Sequence, residues 1–189
     1  MEFQEDDVAT DMDWQDGGLA GTGKEVQLVT FKLDDQEYGL SIENVVEVVR
    51  MVAITRIPRA PDVMEGIINL RGRVVPVINL RKRFGARARP KDLDTRLLVA
   101  RIGGRVIALI VDTVSEVLKL DAESLDASDA VATGVTQYLS AIGKLGDRLL
   151  LIVDLDAILS FDEESRLEDL MRDLEARSSA GVLAAPQPA

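Results

Sequence analysis

The chain has 189 residues, 47% of them hydrophobic, no cysteine, no histidine and a formal net charge of −11 at pH 7. That apolar content supports one packed domain or two small halves sharing a core. The missing residue types exclude disulfides, thiolate chemistry, most structural zinc sites, a phosphohistidine and the commonest general base near neutral pH.

Residues 1–23 hold seven acids and no base and then turn glycine-rich, which reads as a disordered acidic leader. The leader lacks the basic and apolar regions of a signal peptide, and no apolar run in the chain approaches the roughly 18 residues that cross a bilayer. A cytoplasmic protein without direct membrane insertion is expected. Within the leader, Gly18-Leu-Ala-Gly-Thr-Gly23-Lys24-Glu25 comes close to a phosphate loop. Glu25 stands where a magnesium-binding hydroxyl belongs, and no strand precedes the loop, so a linker is the better reading.

From residue 26 the pattern becomes that of short strands. Residues 26–33 and 37–40 read as a hairpin turned at Asp34-Asp35, and residues 42–49 mix a turn with a strand. Pro58 and Pro61 mark a loop. Residues 66–70 and 73–78 form a second hairpin turned at Arg71-Gly72. Pro76 in its return arm predicts an edge strand or a bulge. A short helix follows with Asn79 as N-cap, then a polar link over 85–94. Residues 96–102 and 105–111 flank a Gly-Gly turn, the clearest hairpin of the chain. Strands near 114–120, 139–144 and 148–153 follow. Leu167, Leu170, Met171 and Leu174 give residues 163–177 the spacing of an amphipathic helix, ahead of an Ala/Pro tail.

The segments repeat. Asn69-Leu-Arg-Gly-Arg-Val-Val-Pro-Val-Ile-Asn-Leu80 is echoed by Lys144-Leu-Gly-Asp-Arg-Leu-Leu-Leu-Ile-Val-Asp-Leu155 at an offset of 75 residues. Phe31 to Leu40 is echoed by Ala100 to Leu109 at an offset of 69, continuing with Val45-Val-Glu-Val48 over Val114-Ser-Glu-Val117. One unit built twice, all of short strands, predicts two small antiparallel barrels or curled sheets, with halves at roughly 24–88 and 89–161. Each half alone is marginal in size, so the halves are expected to pack together with a cleft between them.

Few residues point to chemistry. Asp112, Asp154 and Asp156 could be drawn as a metal or acid/base cluster. Asp112 aligns with Glu43 and Asp154 with Asn79, however, and capping accounts for both pairs. Arg71, Arg73, Arg81, Lys82, Arg83, Arg87, Arg89 and Lys91 form a basic stretch with no acid from Gly66 to Lys91. It reads either as a nucleic-acid patch or as solvated surface charge, and with Phe84 as its one aromatic it is poorly suited to base stacking. Arg71 is different. It sits at a hairpin tip whose repeat counterpart is Gly146, which makes it either a partner contact or half of an ordinary exposed ion pair with Glu47.

The stretch Asn69-Leu-Arg-Gly-Arg-Val-Val-Pro-Val-Ile-Asn-Leu-Arg81 closely resembles the signature of the CheW family of chemotaxis coupling proteins. Glu37-Tyr-Gly-Leu, Val111-Asp-Thr-Val-Ser-Glu-Val117 and Gly143 to Leu155 resemble its other motifs. The resemblance covers roughly residues 25–160. It implies two five-stranded SH3-like β-barrels related by pseudo-two-fold symmetry. It also implies a non-enzymatic scaffold, without cofactor or metal, that joins the cytoplasmic tip of methyl-accepting chemoreceptors to the regulatory domain of the histidine kinase CheA. Such a protein works beneath the inner face of the membrane in receptor arrays. By motif position Val45, Glu47, Gly66, Arg71 and Val117 would line the receptor groove. Asn79 stands where the family usually has Asp, a change that keeps capping chemistry. The rival reading is a nucleic-acid binder using residues 71–91.

Overall fold

The computed structural model describes residues 25–127 and 136–179. The leader and the Ala/Pro tail expected at the two ends lie outside the described residues. Eleven strands are described: β1 (Glu25–Leu33), β2 (Gln36–Ser41), β3 (Val45–Arg50), β4 (Met64–Leu70), β5 (Arg73–Asn79), β6 (Arg96–Ile102), β7 (Arg105–Val111), β8 (Thr113–Asp121), β9 (Leu125–Ala127), β10 (Leu139–Leu145) and β11 (Arg148–Val153). A short helix α1 (Leu80–Arg83) follows β5, and α2 (Phe161–Ser179) closes the described chain. The all-β, doubled architecture matches the sequence reading.

The strands form two sheets. One runs β8-β1-β2-β11-β10-β9 and the other β3-β6-β7-β5-β4. The repeat halves and the sheets therefore do not coincide. The first hairpin of each half has crossed into the other sheet: β1–β2 lies among strands of the second half, and β6–β7 among strands of the first. The repeat is nevertheless faithful at the level of register. Val29 faces Val117 across β1 and β8, and Leu98 faces Val48 across β6 and β3. Ile152 faces Gly39 across the parallel pair β11 and β2, as Val77 faces Ala108 across β5 and β7. All eight residues correspond through the offsets of 69 and 75.

The exchange explains the core. Each crossed hairpin has one face on its host sheet and the other on the partner sheet. Leu97 and Val99 pack with Val77, Ala108 and Ile110 inside one sheet, whereas Leu98 and Ala100 pack with Phe31, Leu40, Leu139 and Val153 in a core shared by both sheets. This is why residues 97–100 form an unbroken apolar run with no exposure at all. Leu28, Ala141, Leu150 and Ile152 form the corresponding small core of the other sheet. Fragments 25–88 and 89–179 are accordingly expected to be unfolded separately, because neither can complete a sheet, and to regain β structure when mixed. Far-UV circular dichroism of each fragment and of the mixture checks this.

Pro76 predicts an edge strand or a bulge, and the structure separates the two. β5 lies inside its sheet between β7 and β4, not at an edge, but its pairing with β4 is bulged between Met64 and Gly66, beside the Ile67–Pro76 pair. Pro76 stands opposite Ile67, whose own N–H and C=O are both bonded to Thr55 at 2.9 Å. The ladder to β7 begins only at Val77. Neither neighbouring strand needs the N–H that proline lacks.

α2 starts in a capping box. The Glu163 N–H donates to Ser160 Oγ (3.4 Å), and the Ser160 N–H donates back to Glu163 Oε2 (2.9 Å). Leu167 is buried, with Leu170 and Met171 beside it on the shared core. Arg105 pairs with Glu168 and Arg83 with Glu163, which ties the helix to β7 and α1.

Candidate functional site

At the β4–β5 tip, Arg71 (φ 51°) and Gly72 (φ 85°) both take left-handed backbone, the requirement of a two-residue hairpin turn. Asn69 Oδ1 accepts from the Gly72 N–H at 2.8 Å and fixes the turn. The counterpart tip uses Gly146 at φ 60°. Left-handed backbone costs a side-chain-bearing residue about 1–2 kcal/mol relative to glycine. Arg71 is thus held where the fold itself favours glycine. Its side chain is 81% exposed, and its Nη2 lies 2.9 Å from Oε2 of Glu47, whose side chain is 21% exposed.

Glu47 follows a bulge in β3, an edge strand paired only with β6. Along β3, Val45, Glu47 and Val49 are half-buried, while Val46, Val48 and Arg50 point outward. Val45 packs against the shared core, as does its repeat counterpart Val114 at the start of β8. Val117, 51% exposed, lies on β8, the edge of the other sheet. The five residues singled out from the sequence therefore fall in three places. Val45 and Glu47 lie on β3, one edge of their sheet. Gly66 and Arg71 belong to β4 and its hairpin tip at the opposite edge, and the Arg71–Glu47 ion pair joins the two edges, whereas Val117 belongs to the other sheet.

Gly66 has a plain structural duty. A Cβ there would lie 2.2 Å from the carbonyl oxygen of Thr55, and its φ is +146°. Only glycine lets the 51–57 segment bridge to Ile67.

The basic stretch is not a free stripe. Lys82 and Lys91 reach Glu65, Arg83 reaches Glu163, and Arg89 reaches Asp92 and Asp112. The surprise is Arg81, expected in solvent and found with a side chain 7% exposed. Its Nε donates to Asp112 Oδ1 at 2.7 Å, its Nη1 to the Arg87 carbonyl at 2.6 Å and its Nη2 to Asp34 Oδ1 at 2.6 Å, with a further contact to Asp112 Oδ2. It joins α1 to the β1–β2 and β7–β8 turns of both sheets. One sequence signal pointed to it: an arginine in the first turn of a helix opposes the helix dipole and calls for fixed carboxylates.

Asp112 is the counter-ion of that arginine. It also accepts from the Asp34 N–H at 2.8 Å, steadying a hairpin turn, so the helix-capping expectation is corrected for this residue. Burial works against its ionisation. Hydrogen bonds from Arg81 and the Asp34 amide, with the charges of Arg81 and Arg89, outweigh burial and hold the carboxyl below the usual range. Asn79 caps α1 as expected, accepting from the Arg81 and Lys82 amides at 3.0 and 3.3 Å. Asp154 accepts from the Asp156 N–H at 3.0 Å in the equivalent turn. Among the described residues no group of three or more acids could hold a metal ion, and no helix is long and apolar enough to cross a membrane.

The family profile described as "CheW-like domain" matches residues 27–163. The chain belongs to the CheW family. The chemotaxis protein CheW of Klebsiella aerogenes is 37% identical over 155 residues, spanning 82% of this chain and 93% of that protein. CheW of Helicobacter pylori is 33% identical over 137 residues, spanning 72% and 83%. A crystal structure of the scaffolding protein TtCheW from Thermoanaerobacter tengcongensis is similar at a TM-score of 0.69 and 39% identity, covering 75% of this chain and 92% of that one. The matched CheW region holds both sheets and ends as α2 begins.

Proposed function

We propose that this CheW-family chain is a non-enzymatic scaffold that couples methyl-accepting chemoreceptors to the histidine kinase CheA. The observation that carries the reading is Arg71. An exposed guanidinium is kept on left-handed backbone where the repeat uses glycine, and it is braced by Glu47 beside the outward-facing valines of an edge strand. Backbone strain retained at an exposed, charged tip is explained by a partner contact. The family supports the same direction, since its relatives are named chemotaxis proteins and one is named a scaffold.

In this account Val45, Glu47, Gly66, Arg71 and Val117 take the receptor's cytoplasmic tip. The regulatory domain of CheA docks on the outer ends of the two sheet units. The chain acts in the cytoplasm, in arrays beneath the membrane. Its mechanism is geometric: receptor and kinase are held together, and the receptor's state shifts the kinase between conformations. Nucleic-acid binding is disfavoured because most of the 71–91 cations are already neutralised within the fold.

The test is affinity purification of the tagged chain from cells that make it. Receptor and kinase are expected to co-purify. Recovery of nucleic acid, or of neither signalling partner, would overturn the proposal.

A further inference from the structure

The two repeat units differ at the end of the strand pair formed by β3 and β6. There Arg50 stands directly opposite Arg96, and like charges in that relation destabilise a sheet. The repeat counterparts are Lys119 opposite Gln27, and Lys119 lies 3.8 Å from a carboxylate oxygen of Glu25. The second unit thus neutralises its position and the first does not. Arg96 Nη1 donates to the Leu93 and Thr95 carbonyls at 2.6 and 3.0 Å, without a carboxylate.

Immediately after Arg50 the chain enters a pocket of about 340 Å³ lined by Met51, Val52, Ile54, Arg56, Glu65 and Lys91. Val52 is 46% exposed, and Leu93, whose carbonyl holds Arg96, is 94% exposed. The nearby acids are mostly engaged. Glu65 serves Lys82, Lys91 and Asn79, and Asp92 serves Arg89 and Thr95. The outcome is a pocket of mixed lining, with Arg56, Lys91 and Glu65 beside Met51, Val52 and Ile54, next to the Arg50–Arg96 pair; none of Arg50, Arg56 and Arg96 has a carboxylate partner among the described residues.

We propose that the occupant of this cationic pocket is the chain's own acidic leader, residues 1–23. The leader carries seven acids and no base, and in Asp11-Met-Asp-Trp-Gln-Asp16 it sets two large apolar side chains among three carboxylates. Its charge complements the unneutralised Arg50, Arg56 and Arg96, and its Met12 and Trp14 match the Met51, Val52 and Ile54 part of the lining. Reach is not limiting. Twenty-three residues extend up to about 75 Å, against a radius of gyration of about 15 Å for a domain of this size. Docking satisfies the like-charged Arg50–Arg96 pair and covers Val52 and Leu93.

Trp14 is the sole tryptophan of the chain, so intrinsic fluorescence of the full-length protein reports on the leader alone. Emission and anisotropy are measured from about 0.01 M salt, where the Debye length is about 30 Å, to about 1 M, where it is about 3 Å. The leader is expected to give blue-shifted emission and high anisotropy at low salt, lost at high salt and independent of protein concentration. Arg50→Glu with Arg56→Glu is expected to show the high-salt values throughout, with Arg87→Glu behaving as wild type. Circular dichroism establishes that the variants fold. Should the reversal fail to fold, Arg50→Gln with Arg56→Gln is read in the same way. The proposal is overturned by a Trp14 signal insensitive to salt, by one that the Arg50/Arg56 variants leave intact, or by one that disappears on dilution. The last outcome would place the leader on a second copy.

Discussion

Arg81→Met is expected to destabilise the fold by about 3–5 kcal/mol, the usual effect of breaking a buried ion pair from one side. For a chain of this size that lowers the melting temperature by about 6–20 °C. The loss comes less from the missing attraction than from Asp112, which stays nearly buried without its main counter-ion. The pH dependence has a definite sign. The folded Asp112 carboxyl lies below its unfolded value, so its contribution is present above about pH 4 and fades as pH falls through the folded value. The gap between wild type and variant should therefore be widest at neutral pH and narrow in acid. Adding Asp112→Asn to Arg81→Met should restore part of the loss, since a neutral amide costs less to leave buried. Thermal melts from pH 3 to 7 (about the carboxylate range) check the set. A neutral-pH loss below about 1 kcal/mol would mean that Arg81 behaves as a surface ion pair.

The second large effect is on binding and leaves the fold almost untouched. Arg71→Gly removes the left-handed strain, worth about 1–2 kcal/mol, and gives up an exposed ion pair worth about 0–1 kcal/mol. The variant should melt at or slightly above the wild-type temperature. Arg71→Glu keeps the strain and faces Glu47 with a like charge, so it should lose on the order of 1 kcal/mol of stability. Both should weaken receptor-tip binding by about 2 kcal/mol or more, which is about thirtyfold. Arg87→Glu, in the link between the repeat units, is the control. Melting and receptor pull-down on the same preparations separate the two effects. Undiminished binding by Arg71→Gly, or an equal loss in the control, would remove Arg71 from the receptor site.

The repeat was legible because homologous hairpins keep both their pattern and their spacing. The offsets of 69 and 75 residues relate one observed pairing to its counterpart, Val29 with Val117 to Leu98 with Val48, and Gly39 with Ile152 to Ala108 with Val77. The crossing of the two hairpins was not legible. An echo tells which segments are equivalent, whereas the sheet that accepts them depends on a shared core assembled from both halves. Of the two alternatives for Pro76, the bulge was legible and the interior position was not: what excuses its missing N–H is the bridge from Thr55 to Ile67, which local sequence does not show. Arg81 was hidden in a run of eight cations, with its carboxylates Asp34 and Asp112 separated from it by 47 and 31 positions. Of the site residues, Arg71 stood out by its asymmetry with Gly146, and its pairing with Glu47 was readable because both belong to the first repeat unit. The packing duty of Gly66 needed the approach of the Thr55 carbonyl, and the Arg50–Arg96 pair needed the register of β3 on β6.

Coupling itself is tested most directly by the autophosphorylation rate of CheA mixed with receptor-containing membranes, with and without the full-length chain. The account predicts that the rate follows the ligand state of the receptor only when the chain is present, and that Arg71→Glu abolishes this dependence while still binding the kinase. A kinase rate indifferent to receptor state at saturating chain would contradict it.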